Sequence, residues 1–266
     1  MAEITLDNKT VHYTTGGKAW EAGLPHLVMI HGAGDDQTVW VMQSRAMAHQ
    51  GWNVAAVDLP GHGGSEDVED IRAMEDYGNW LVGVMDGLGI GQAVLAGHSM
   101  GGAIALTVAA TKPERVQGLA LVGTRAALPV SDVLLNASAS SSAEAAALVA
   151  AFAHDEHYQI GGARNPGTWA FGASRARQEK CPTEVFHRDF EVCNQWNGEN
   201  YTSNIQCPAI VISGSNDRMT PAVFGKSLAE SIKGAEYFEV PGAGHTLMGE
   251  KPREILSLMR KFLKKN

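Results

Sequence analysis

Ala93-Val94-Leu95-Ala96-Gly97-His98-Ser99-Met100-Gly101-Gly102 is the stretch from which the rest of this chain can be read. Four apolar residues, enough for a short buried strand, run into Gly-x-Ser-x-Gly, and residues 102–111 then have helical composition. A strand that becomes a helix within a few residues must pass through backbone angles that side chains resist. Gly97 and Gly101 remove the side chains that would strike the flanking chain, and Ser99 is left at the tip of the turn. A serine hydroxyl is a weak nucleophile at neutral pH, so a reactive Ser99 needs a base beside it and a group to orient that base.

Outward from this turn, similar apolar runs occur at 27–30, 54–57, 119–122 and 209–212. They lack polar alternation, as strands buried on both faces of a parallel sheet do. A further strand is expected at 237–240, and 4–6 with 10–15 read as a hairpin around Asp7-Asn8-Lys9. Helical stretches fall between the strands at 39–50, 71–88, 102–111, 221–231 and 252–262, with Thr220 expected as an N-cap and Pro221 as the first helical residue. The alternation predicts an α/β fold, a doubly wound, mostly parallel sheet flanked by helices. It stops at 126–204, which opens Ala- and Ser-rich and continues with helical composition at 144–153. The expected organisation is a core domain of 1–125 and 205–266, with 126–204 a mostly helical cap over the carboxyl edge of the sheet, where ligands of open α/β sheets bind.

The partners Ser99 needs lie at two other strand ends. His245 stands in Gly242-Ala243-Gly244-His245 after the strand ending at Val240, where a loop suits a base that must serve both nucleophile and leaving group. Asp217 follows the strand on 209–212 and can orient the imidazole; the competing position after Val122 reads Gly123-Thr124-Arg125 and offers no acid. Acyl transfer also needs two donors for the oxyanion. The Met100 and Ala33 amides are expected to supply them, with Gly34 as the alternative in the second role. Candidate pocket residues are Gly34, Trp169, Phe171, Met219 and Leu247. Tyr158 and Trp196 also fall in the cap, and its aromatics could equally be its own core. His31 and His62 are expected to shape loops and His98 to pack or bond locally. His154-Asp155-Glu156-His157 is read as solvated surface, not a metal site. Gly87-Leu88-Gly89-Ile90-Gly91 precedes a strand and is read as a helix-ending loop, not a dinucleotide site. Arg125, Arg164 and Arg175 are isolated candidates for a substrate carboxylate.

Composition narrows the classes. A chain of 266 residues, 44% hydrophobic, can bury a sizeable core. A formal charge of −8 argues against nucleic acid or anionic lipid as a general partner, so a small-molecule substrate is expected. No apolar run is long enough to span a membrane. The acidic N-terminus does not read as a secretory signal, and Cys181, Cys193 and Cys207 are odd in number at no metal-like spacing. These features lead to the expectation of a cytoplasmic protein with neither metal nor cofactor. Oligomeric state stays open.

His31-Gly32-Ala33-Gly34, Asp58-Leu59-Pro60-Gly61-His62-Gly63, residues 97–102, the Asp217 loop and His245 together resemble the α/β-hydrolase fold superfamily, in its capped, esterase-like serine hydrolase branch. The resemblance is weakest over 126–204. It implies an eight-stranded sheet and a cofactor-free acyl-enzyme mechanism. Members of the branch include carboxylesterases, lactonases, thioesterases, carbon–carbon bond hydrolases and cofactor-free perhydrolases. Haloalkane dehalogenases and epoxide hydrolases carry an Asp nucleophile, which Ser99 speaks against. The expected activity is hydrolysis of small, largely apolar esters or lactones. The alternatives are a thioesterase, a carbon–carbon bond hydrolase of β-diketone-like ring-cleavage products, or a non-catalytic ligand-binding protein on the same fold. The lack of a basic cluster weighs mildly against carbon–carbon cleavage.

Overall fold

The computed structural model describes residues 2–162 and 169–265. Strands β1 (Ala2–Leu6) and β2 (Lys9–Thr14) form the expected hairpin. Its tip residues Asp7 and Asn8 both have positive φ, 49° and 61°, as a two-residue turn matched to strand twist requires. The other strands are β3 (His26–Ile30), β4 (Asn53–Val57), β5 (Ala93–His98), β6 (Val116–Val122), β7 (Ala209–Gly214) and β8 (Glu236–Val240). Together they make one eight-stranded sheet in the order β1-β2-β4-β3-β5-β6-β7-β8. The pairings β1–β2 and β2–β4 are antiparallel and the rest are parallel. The carboxyl ends of β3, β5, β6, β7 and β8 therefore share one edge of the sheet.

The inner parallel strands are apolar on both faces because helices cover both, while β8 at the edge carries Glu236 and Glu239. Val28, Ile30, Ala55 and Val57 point into a core shared with helices α2 (Met74–Gly87) and α3 (Met100–Thr111). Their neighbours Leu27, Met29, Val54 and Ala56 point into a second core with helices α1 (Val41–Ala48) and α11 (Pro252–Leu263). A single strand residue shifted in register would exchange these faces.

Between β6 and β7 lie α4 (Asp132–Ser140), α5 (Ser142–Ala153), α6 (Glu156–Gln159), α7 (Ala170–Gln178) and α8 (Thr183–Gln195). Ser131 and Ser141 accept backbone N–H bonds at the starts of α4 and α5, so the serines of this Ala- and Ser-rich run divide it into two helices. A third, smaller core forms here from Ala145, Ala146, Val149 and Ala153 of α5 with Val185, Phe186 and Phe190 of α8. After β7 come α9 (Ala222–Ser231) and, before α11, the single turn α10 (Leu247–Glu250).

Two expectations need correction. Helix α9 begins at Ala222 with Pro221 in the capping position, so Thr220 is not the N-cap; its hydroxyl has other partners, described below. His154 is buried, not solvated: it packs against Phe171 and its Nδ1 lies 3.1 Å from the Ala150 carbonyl. No group of three potential metal ligands occurs among the described residues. No helix among them is long and apolar enough to cross a membrane.

Candidate active site

Ser99 sits between the last residue of β5 and the first of α3 with φ 53° and ψ −119°, a conformation a non-glycine residue holds only when its surroundings enforce it. They do. The Ser99 N–H donates to the Val122 carbonyl of β6 at 3.0 Å, and its carbonyl accepts from Gly102 and Ala103. A Cβ on Gly97 would lie 2.1 Å from the Gly101 carbonyl oxygen, and one on Gly101 would lie 2.4 Å from the oxygens of Ile30 and His31. Both glycines of the motif are required by close backbone approach.

The carboxyl edge also brings Asp217, after β7, and His245, after β8, together. His245 Nδ1 lies 2.9 Å from Asp217 Oδ2. The carboxylate is otherwise saturated: Oδ1 accepts the N–H groups of Met219 and Thr220, each at 2.8 Å, and Oδ2 the Thr220 hydroxyl at 2.8 Å. Thr220 Oγ1 also lies 3.2 Å from His245 Nδ1. The hydroxyl expected to cap a helix thus buttresses the acid–imidazole pair. Burial disfavours the charge on Asp217, but His245 and the Thr220 donors outweigh it and hold the carboxyl below its ordinary range. Burial likewise works against a charged His245, and Asp217 outweighs it, so the imidazole titrates above its ordinary value of 6.5. With Nδ1 engaged by Asp217, Nε2 is the nitrogen left to accept a proton.

The loop carrying His245 is fixed from three sides. Its N–H donates to the Ala153 carbonyl at the end of α5 at 2.6 Å. His98 Nε2 donates to its carbonyl at 2.9 Å. The buried Glu250 accepts from Gly244 N–H, Thr246 and the Asp155 N–H. Burial and the neighbouring His245 push His98 down to about 3, so it stays neutral beside the site.

Ala33 and Met100 also reach this place. Ala33 lines both cavities that contain Ser99, and Met100 opens α3 immediately after it. Neither N–H has an acceptor among the described residues. The Gly34 N–H is different: it donates to Asp189 Oδ2 at 2.9 Å and is spent. Gly34 lies against Phe186, where a Cβ would come within 2.3 Å of the ring, and does not line the cavity.

Asp189, on α8, was not singled out in the sequence. It is fully buried, yet it accepts from Gly34 N–H, from His62 Nε2 at 2.9 Å and from the Tyr77 hydroxyl at 2.6 Å. The other nitrogen of His62 faces the Pro60 carbonyl at 3.0 Å, so both ring nitrogens must donate. His62 is therefore an imidazolium. Its burial opposes the charge, but Asp189 raises its titration well above the ordinary imidazole value and is itself held below the carboxylate range. The expectation that His31 and His62 shape loops agrees with these bonds and with His31, which donates to Gly32 and accepts from the Leu59 N–H. The available signal was that Asp189 falls on the apolar stripe of α8 formed by Val185, Phe186, Phe190 and Cys193.

A cavity of about 450 Å³ opens beside Ser99. Met219 lines it, with Leu128, Leu134, Val149, Phe152 and Phe190. A recess of about 30 Å³, lined by both Ser99 and His245, adjoins it and has room for a water molecule. Besides Gly34, three pocket expectations are corrected: Leu247, Trp169 and Phe171. Leu247 is completely buried in the core on the α11 side. Trp169 is 56% exposed and stacks on Phe171, with ring centroids 5.7 Å apart, and neither lines the cavity. Tyr158 and Trp196 are buried packing residues. Of the three arginines, Arg125 lines the cavity, Arg175 pairs with Glu179, and Arg164 lies outside the described residues. Arg218, which the sequence did not single out, joins Arg125 there.

Comparison with known proteins places these features in context. A family model described as alpha/beta hydrolase fold matches residues 25–252. A 2-hydroxy-6-oxononadienedioate/2-hydroxy-6-oxononatrienedioate hydrolase of Burkholderia vietnamiensis is 29% identical, over 96% of this chain and 91% of that protein. A 2-hydroxymuconate semialdehyde hydrolase of a Pseudomonas species is 31% identical, over 91% of this chain and 87% of its own. Among solved structures, the enol-lactonase from Burkholderia xenovorans superposes with a TM-score of 0.88 at 25% identity, covering 99% of this chain and 100% of that one.

Proposed function

Because the chain belongs to the alpha/beta hydrolase fold family, we propose that it is a serine hydrolase of small, largely apolar carboxylic esters or lactones. The observation that carries this reading is the strained Ser99 turn sharing a recess with His245, whose far nitrogen is engaged by Asp217. In the reaction, His245 Nε2 takes the Ser99 proton as the hydroxyl attacks the carbonyl. The Ala33 and Met100 N–H groups receive the charge that develops on the carbonyl oxygen. His245 returns the proton to the leaving group, and the acyl-enzyme forms. Water, deprotonated by His245, then releases the acid and restores Ser99. Helices α4–α8 act as the cap: Leu134, Val149, Phe152 and Phe190 wall the cavity from that side and favour an apolar substrate body.

A second reading keeps the same three residues and cleaves a carbon–carbon bond in a vinylogous diketone. The names of the two relatives favour it, and so does the presence of Arg125 and Arg218 in one cavity, where the sequence suggested no basic cluster. The test is turnover of p-nitrophenyl esters of graded acyl length beside a 2-hydroxy-6-oxo-dienoate, with Ser99→Ala as control. Ester turnover that depends on Ser99 and exceeds diketone turnover supports the first reading. The reverse preference supports the second. Turnover of either that survives Ser99→Ala contradicts both.

A further inference from the structure

The cavity beside Ser99 is lined by two arginines and, among the described residues, by no aspartate or glutamate, although the chain carries 29 acidic residues against 21 basic ones. The two arginines differ in what they do. Arg218 donates to the carbonyls of Ala151 at 2.5 Å and His154 at 3.5 Å, so it fastens the end of α5. Arg125 makes no hydrogen bond or ion pair among the described residues. Its guanidinium stacks over the Phe224 ring, 3.7 Å from the centroid. Partial burial disfavours its charge. A guanidinium stacked on a ring has its position fixed while its N–H edge remains free for an acceptor in its own plane, and the group that matches two adjacent N–H donors is a carboxylate. Arg125 follows β6 at the sheet edge, next to β5 and its Ser99, and apolar Leu128, Val130 and Leu134 line the same cavity. With the Arg218 guanidinium committed to the carbonyls at the end of α5, Arg125 is the lining cation whose N–H edge is open to a planar anion among apolar walls.

We propose that Arg125 binds a substrate carboxylate, and that the substrate is therefore an acid whose ionised carboxyl lies a short aliphatic chain away from the carbonyl that Ser99 attacks. This rests on the hydrolase reading for the attack and on the cavity alone for the binding. The test uses monoethyl adipate and ethyl hexanoate, which share a six-carbon acyl chain and differ by the carboxylate. Their affinities are measured by calorimetry for Ser99→Ala and for the same protein carrying Arg125→Met, Arg125→Gln or Arg125→Lys. A charge-assisted contact predicts that Arg125→Met and Arg125→Gln weaken monoethyl adipate roughly tenfold or more relative to ethyl hexanoate, while Arg125→Lys recovers part of the loss. In protein with Ser99 intact, the same ratio falls through KM and not kcat. Equal loss for both esters, or no measurable binding of monoethyl adipate to Ser99→Ala, overturns the proposal. Arg125-dependent binding with neither ester turned over leaves the carboxylate site standing and removes the ester reading.

Discussion

The carboxylate of Asp217 has four donors, and His245 depends on one of its oxygens. Asp217→Asn keeps the shape but presents an amide that no longer stabilises imidazolium. The predicted loss in kcat/KM is about a thousandfold or more. The pH profile gives a sharper check. Catalysis needs His245 neutral, and Asp217 holds its titration above 6.5, so activity should rise with pH through a value above 6.5. In Asp217→Asn the raising influence is gone and burial remains, so the acid limb of the residual activity should move to lower pH; an unmoved limb would contradict the assignment. Thr220→Val, which removes one donor to Asp217 and one neighbour of His245, should lower kcat/KM by about tenfold with little change in fold, measured by kinetics beside circular dichroism. Ser99, Asp217 and His245 could be picked out as candidates because each follows a segment that reads as a strand. Thr220 was misread because Thr-Pro is a sound helix start locally, and only the approach of the β8 loop reveals the second use of its hydroxyl.

Helix α8 and the loop after β3 are tied by Asp189, whose contacts span 155 residues of sequence to Gly34. Asp189→Asn leaves a buried imidazolium without its counter-ion. Breaking such a pair typically costs about 3–5 kcal/mol, and a shift of that order in urea unfolding is expected. Asp189→Ala, which leaves no acceptor for the Gly34 N–H, should lower kcat through the neighbouring Ala33 amide more than it raises KM. At the turn itself, Gly97→Ala places a Cβ against backbone, not a side chain that can swing aside. It should destabilise the fold by at least about 2 kcal/mol, read from thermal unfolding. The inner strands β3 to β7 were legible because two-sided burial erases polar alternation, whereas β1 and β2 were legible from the turn between them. The insertion was legible only as helical. Its aromatic residues gave no direction, and Trp169 and Phe171 pair with each other while Phe152 and Phe190 face the cavity. Which face of a short helix meets a sheet edge depends on packing partners far away in sequence.

Five buried histidines fall into two groups with opposite pH behaviour. His62 and His245 titrate above 6.5, so the stability they add is complete below 6.5 and is lost as pH rises through their folded values. His31, His98 and His154 are held neutral by burial, so their contribution is present above 6.5 and is lost as the unfolded chain gains protons below it. Thermal stability should therefore peak near 6.5 and decline on both sides, while kcat/KM is still rising on the alkaline side of that peak; coincident optima in Tm and kcat/KM would contradict the assignments. The sheet order and the shared strand edge make one test decisive for the whole arrangement. The protein and its Ser99→Ala variant are treated with a fluorophosphonate and digested, and the modified peptide is identified by mass. The arrangement predicts a single adduct on Ser99 in the unaltered protein, formed faster as pH rises past 6.5, and none in a folded Ser99→Ala. A folded protein that takes no label, or takes it equally without Ser99, would contradict the assignment of Ser99 as the nucleophile.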